Sequence, residues 1–408
     1  MSFAQKFLIM TVICLSASTI YWMPFLSEIY YVPMQDAFGF SKTELGILSS
    51  IFGFTALIGY FPGGYLADRL SSRKLMSSAL LVTSAGAFIF ATIPPFITCV
   101  LLYGIWGIAT ACLFWSAMIK ATRMLAEKTE QGRAFGFLEG GRNFSDMVTS
   151  TIFLSIFAFR GGDDAALSEV IVMLALLTLG LAFLVWTVID DDSGDPDDWY
   201  VERPTITSRE VFEVLKLPIV WLLAIIIMTA YTGLWGAIYF TPFATDVFGL
   251  SAVWGGAIGT GKLWVAFLAA IAAGFVADKI GPAKAVVGSF TLMTAGFLVF
   301  ALLPGAPDLV PLLVINVAIV SCAVYALRGI YFSLLETGGI PLAVTGIAVG
   351  IVSVIGYTPD VFMPVLGGII LDASPGVEGY QNLFFLVAAM SFVGTVAAYL
   401  VYRKTKVA

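Results

Sequence analysis

Residues 170–189 read VIVMLALLTLGLAFLVWTVI, a run without a single charged side chain, and eleven other long stretches are mainly apolar, some with a few charges inside them. At about 1.5 Å of rise per residue, about 20 apolar residues cross the roughly 30 Å hydrocarbon core of a bilayer as a helix. No water is available there for backbone N–H and C=O groups, so each run must close its own hydrogen bonds and form a helix. A membrane barrel would alternate polar with apolar positions, and these runs do not. Hydrophobic residues fill 59% of the 408 positions and charged residues only 12%, against about 45–50% apolar usage in soluble domains. The chain reads as an all-α integral membrane protein.

The runs predict spans at 7–27, 43–66, 74–94, 97–124, 132–158, 167–190, 217–241, 250–277, 283–303, 309–335, 341–371 and 379–402. They fall into an N-terminal six-helix bundle (1–190), a hydrophilic cytoplasmic linker (191–216) and a C-terminal six-helix bundle (217–408). Within the linker a short helix is expected from Ser208 to Lys216, capped by Thr207 or Ser208, with Glu210 in its first turn. Lys6 followed by FLIMTVICLSAS resembles the start of a signal peptide. The apolar stretch nevertheless continues through Leu26, and an even number of spans needs it, so it is read as the first helix. With both termini in the cytoplasm, only Lys42 and Arg160 among the cations outside the membrane core face outward, as the excess of Lys and Arg on the inner side requires. The net charge of −6 comes largely from the acidic linker and gives no sign of nucleic-acid binding. Cys14, Cys99, Cys112 and Cys322 lie singly in apolar runs and read as packing residues rather than metal ligands. The chain has no histidine, so any proton coupling falls to carboxylates.

Charge is concentrated in GYLADRLSSRK (64–74), and the pattern returns as GFVADKIGPAK (274–284). Gly64 with Gly274, Asp68 with Asp278, Arg69 with Lys279, and Lys74 with Lys284 are each related by an offset of 210, so the chain is two related halves. Internal repeats of this kind are typical of secondary transporters. Gly64 is expected to admit a neighbouring helix, Asp68 to face a positive helix end, and the basic residues to pair with acids or carbonyls of adjacent helix ends.

This duplicated pattern in a twelve-span chain resembles the signature of the major facilitator superfamily, over essentially the whole chain. The resemblance implies a gating role, stabilising one state of an alternating-access cycle, for Asp68, Arg69, Arg73, Asp278 and Lys279. Ser71 stands where that signature has a glycine, which puts the first turn's geometry in question. TIYWMPFLSEIYYVPMQDAF (19–38), QGRAFGFLEGGRNFSD (131–146) and the segment 326–385, beginning ALRGIYFSLLETGG, are similar to the YihN-like branch, bacterial carriers grouped with organic-anion and sugar-phosphate permeases.

Ionisable groups in the membrane core are costly and mark function. Glu139, Arg142 and Asp146 share one face of the fifth span, with Arg142 about 13 Å past Arg133 and near the midplane. Arg328 lies about 12 Å before Glu336 on the tenth span, and Lys262 lies sixteen residues before Asp278 on the eighth. An arginine fork suits carboxylate, sulfonate or phosphate. The expectation is an anion clamped by Arg142 and Arg328 with Lys262 as a third contact, although Arg142 with its two acidic neighbours also fits a purely structural pair. Tyr21, Trp22, Tyr231, Trp235 and Tyr239, on the first spans of the two halves, are candidate substrate contacts or interfacial anchors; Trp106, Trp115, Trp254 and Trp264 read as packing or interface residues. Glu139, Asp146 and Asp360 are the candidate proton carriers. Gly356 and Pro359, just before Asp360, should interrupt the eleventh span and form a gate or a simple kink.

The resulting expectation is a monomeric secondary carrier, without cofactor, for a small anionic solute moved by proton symport or anion exchange. A proton-coupled multidrug exporter is the alternative. Exporters of the superfamily carry a glycine-proline pair in the fifth span, and FSDMVTSTIFLSIFAF (144–159) contains neither residue. No nucleotide loop, metal cluster or histidine dyad points to an enzyme.

Overall fold

The computed structural model describes residues 3–125, 131–190, 212, 214–337 and 345–407. The chain divides into two compact units, Met1–Tyr200 and Val201–Ala408. The short helix expected over Ser208–Lys216, with its caps, lies almost wholly outside the described residues.

The first unit contains α1 (Phe3–Thr19), α2 (Ser27–Phe38), α3 (Lys42–Arg69), α4 (Ser72–Phe90), α5 (Phe96–Ile108), α6 (Ser116–Leu125), α7 (Gln131–Phe159) and α8 (Asp164–Val188). The second contains α9 (Pro218–Ile238), α10 (Phe240–Asp246), α11 (Ala252–Ile280), α12 (Pro282–Leu302), α13 (Val310–Ile330), α14 (Leu334–Thr337), α15 (Thr345–Gly356), α16 (Pro359–Ala373) and α17 (Val377–Val407). Shorter elements join across breaks, so the described residues make twelve passes, six in each unit, with helices throughout. Pairing repeats between the units: the third pass packs on the sixth (α4 on α8, α12 on α17), the second on the fourth (α3 on α5, α11 on α13) and the first on the fifth (α1 on α7, α9 on α15).

The first pass departs from its expected limits of 7–27. It turns at Ile20–Leu26 and continues as α2 to Phe38. Pro24 has no N–H to continue an α-helical ladder, and the chain substitutes tighter bonds, Tyr21 N to Ser18 O and Trp22 N to Thr19 O at 3.1 Å each. Glu28 and Asp36 hide the second half of this helix from a hydropathy reading, while Ile29, Tyr30, Tyr31 and Met34 are buried. The fourth pass loosens into a π-helical segment at Ala109–Trp115 between α5 and α6.

That segment is met by a stripe of small residues on α3. A side-chain carbon on Gly63 would come within 2.7 Å of the Ala111 carbonyl oxygen and 2.9 Å of that of Cys112, and Gly59 faces the same two residues. Gly64, expected to make this approach, points elsewhere: a side-chain carbon there would meet no atom within 4 Å, and the same holds for Gly274. The sequence reading was one position off because the signature marks Gly64, whereas the packed face runs Ala56, Gly59, Gly63, Ala67. The offset of 210 carries it to Ala266, Ala269, Ala273 and Ala277, all buried.

The turn after each charge motif also differs between the copies. Gly281 adopts φ 91°, a left-handed conformation that favours glycine. Its counterpart Ser71 has φ −64° and ψ 132°, so the first copy makes its turn in ordinary extended backbone and needs no glycine.

Gly63→Ala should destabilise the protein by about 1–3 kcal/mol, the usual cost of overpacking. Gly64→Ala should stay within about 0.5 kcal/mol of the parent. Thermal unfolding of the detergent-solubilised variants measures both, and equal losses would refute the assignment of the packed face.

Candidate functional site

In the first unit, α7 brings its face of charges to the end of α1. Gly141 leaves room for Cys14, whose thiol donates to the Phe137 and Leu138 carbonyls at 3.6 and 3.8 Å, so α1 and α7 approach closely one residue before Arg142. Arg142 pairs with Glu139 at 2.9 Å; its side chain is 17% exposed and that of Glu139 58%. Its guanidinium also lies 5.7 Å from the Tyr21 ring centre and 5.3 Å from that of Trp115, the last residue of the π-helical segment. A guanidinium over an aromatic face gains about 0.5–2 kcal/mol, more as water is removed. One turn further on, Asp146 accepts from the Ser18 hydroxyl, a second tie to the end of α1. Trp22 is buried against Phe153, and its indole N–H is buried without an acceptor among the described residues.

The second unit builds the same platform. Arg328 on α13 lies 5.7 Å from the Tyr231 ring centre and 5.8 Å from that of Tyr325. Tyr231 corresponds to Tyr21 and Tyr325 to Trp115 at the offset of 210. Each half therefore holds an arginine against one aromatic of its first pass and one of its fourth. The cations themselves are not equivalent: Arg142 comes from the fifth pass of its half, whereas Arg328 shares a helix with Tyr325. Tyr231 also packs on Tyr357, with ring centres 4.6 Å apart.

The fifth pass of this unit is interrupted between Gly356, pressed against Ile227 of α9, and Pro359, the first residue of α16. Proline at that position loses no helical hydrogen bond. Next to it, Asp360 accepts from the indole N–H of Trp235 at 2.7 Å and lies within electrostatic reach of Arg328. Tyr231, Trp235, Arg328 and Asp360 thus form one group.

Two expected contacts, Tyr239 and Lys262, bond to backbone carbonyls. Tyr239 is buried and its hydroxyl donates to the Pro364 carbonyl at 3.0 Å. Lys262 is 1% exposed, and its ammonium donates to the Ala237 carbonyl at 3.4 Å, at the end of α9. Carbonyls at a helix end lack helical partners and attract cations, so this bond steadies the α9–α10 junction.

In the charge motif two of the cations meet aromatics. Arg69 stacks on Tyr65 at 4.2 Å and Arg73 on Trp186 of α8 at 4.9 Å. The carbonyls at the end of α3 are taken by Lys120 of α6, which donates to Ala67 at 3.0 Å and Leu70 at 3.3 Å. Asp68, Asp278 and Lys279 are exposed. Lys120, Trp115, Tyr325 and Ser18 were absent from the expected site; the repeat offset, which carries Trp115 to Tyr325, is the signal that links two of them.

Twelve passes in two related halves, each with an intramembrane arginine on an aromatic platform, define a transporter. Residues 7–358 match the family description "Major Facilitator Superfamily", and the chain belongs to that family, whose members are transporters and not enzymes. It is 27% identical to inner membrane protein YqcE of Escherichia coli K12, covering 99% of this chain and 96% of that protein. It is also 27% identical to inner membrane protein YihN of the same organism, covering 98% and 96%. The fold is shared with a bacterial homologue of the human lysosomal transporter Spinster, at a TM-score of 0.77 and 14% identity over 99% and 98% of the two chains. The nucleoside transporter NupG shares it with a TM-score of 0.74 and 17% identity over 98% of each chain.

Trp235→Phe should leave the Asp360 carboxylate without its indole donor and cost about 1–3 kcal/mol. Trp235→Phe combined with Asp360→Val should recover part of that loss. Melting curves of the parent, both single variants and the double variant measure the coupling, and simple additivity would show that the bond does not contribute.

Proposed function

We propose that the protein is a secondary active transporter carrying a small organic anion, a sugar acid, sulfonate, phosphate ester or carboxylate, across the bacterial inner membrane by alternating access. The observation that carries this reading is the pair of arginines on equivalent aromatic platforms, Arg142 on Tyr21 and Trp115 and Arg328 on Tyr231 and Tyr325. The planar fork of an arginine is able to donate two parallel hydrogen bonds to an oxyanion, which suits such a cation to a carboxylate, sulfonate or phosphate. Trp22 adds a buried donor without an acceptor among the described residues. Lys262 acts through the Ala237 carbonyl as a positioning group.

Asp360, Asp146 and Glu139 are the carboxylates available for proton coupling. Each is tied to a partner: Asp360 to Trp235, Asp146 to Ser18 and Glu139 to Arg142. Asp68, Arg69, Arg73, Asp278 and Lys279, with the break at Gly356–Pro359, are the gating elements of this reading. Cytoplasmic termini follow from the bias of Lys and Arg. The inner-membrane location is supported by the names of the two Escherichia coli relatives.

The test is a thermal-shift screen of the purified protein with gluconate, a sulfonate, glycerol 3-phosphate, succinate and lipophilic cations. Binding to the folded carrier raises its melting temperature. An anion should stabilise the parent and lose its effect in Arg328→Ala. Stabilisation by lipophilic cations alone, unchanged in Arg328→Ala, would replace this reading with a drug exporter.

A further inference from the structure

In the second unit α16 is fastened to α9 by two bonds, each spanning 125 positions of the chain. The indole N–H of Trp235 donates to Asp360 Oδ1 at 2.7 Å. Four residues on, at the end of α9, the Tyr239 hydroxyl donates at 3.0 Å to the carbonyl of Pro364, four residues past Asp360. Gly367 makes room for this second tie, since a side-chain carbon there would collide with the Tyr239 ring and hydroxyl. Asp360, the second residue of α16, is therefore a carboxylate held in place from two directions, by its own bond and by the seating of its helix. Arg328 of α13 lies within its electrostatic reach. Whatever else meets Arg328, an anion seated on that guanidinium has a fixed carboxylate for a neighbour.

We infer that Asp360 is a specificity-determining residue that limits the solute to a single negative charge. The inference rests on the reading of Arg328 as a solute contact. One anionic group gains the guanidinium; a second on the same small molecule stands within a few ångströms of Asp360. Repulsion at such a distance, in a site partly withdrawn from water, lowers affinity by about tenfold or more. A like charge placed against the wrong ligand is the ordinary means by which a binding site rejects it. Within the anions considered, a sugar acid or a sulfonate is then favoured over a dicarboxylate. A phosphate ester, with about 1.5–2 negative charges at pH 7, falls on the disfavoured side.

Two pairs of ligands that differ by one carboxylate test the inference: gluconate against glucarate and glycerate against tartronate. Each is titrated by calorimetry into the purified full chain at mildly alkaline pH. The parent should bind the monoanion of a pair at least about tenfold more tightly than the dianion. Asp360→Asn, which removes the charge and keeps the shape, should bring the two members within about threefold, chiefly by improving the dianion. Asp360→Glu should keep the monoanion preferred. Arg328→Ala should abolish binding of both members. A parent that binds glucarate or tartronate as tightly as its partner would overturn the inference, whether or not the variants fold, and so would an Asp360→Asn protein with the parent's preference. In either case binding lost in Arg328→Ala would leave the anion carrier standing. Binding of no anion, or binding indifferent to Arg328→Ala, would instead remove that reading and this inference with it.

Discussion

A backbone polar group left unbonded in hydrocarbon costs several kcal/mol, and this fixes where the chain is free to stop being a helix. Departures occur at Ile20–Leu26, in the π-helical segment Ala109–Trp115, at Tyr239 and at Tyr357–Thr358. At Ile20–Leu26 tighter backbone bonds restore the pairing, and at the α9–α10 junction the Lys262 ammonium takes the Ala237 carbonyl. These are also the places where the site residues gather. Tyr21 and Trp22 lie in the first departure, Trp115 ends the second, Tyr239 is the third, and Asp360 follows the fourth within two residues. Irregular backbone in a membrane needs protein around it, so the constraint that limits the breaks also concentrates chemistry beside them.

Packing between passes follows a second economy of space. The stripe Ala56, Gly59, Gly63, Ala67 brings α3 against the π-helical segment, and the same positions in the second unit are all alanine. Glycine is needed only in the first copy, where carbonyl oxygens of the loosened turn stand in the way of a methyl group. Small residues of this kind let backbones come together where the hydrophobic effect offers no drive between helices. Trp115 reaches Arg142 from the end of that same segment.

The passes were legible because each demands a long apolar run, and the halves because the charge motif repeats. What hydropathy missed was α2, whose Glu28 and Asp36 break the apolar run although its other side is buried. The group Tyr231, Trp235, Arg328, Asp360 was named residue by residue, but the indole-to-carboxylate bond spans 125 positions and no local pattern announces it. Lys262 and Tyr239 share a feature that no sequence pattern announces. A polar group in a span suggests a ligand, yet here the nearest unmet need is a carbonyl released by a break, at Ala237 or at Pro364.

The aromatic platforms match across the repeat, while the arginines resting on them come from different passes. A duplicated gene would have begun with both copies alike in cation as well as in platform. The pseudo-symmetry of the scaffold therefore extends to the aromatic seats and stops at the cations, so the two halves present the same surface to a solute but bring charge to it from different helices.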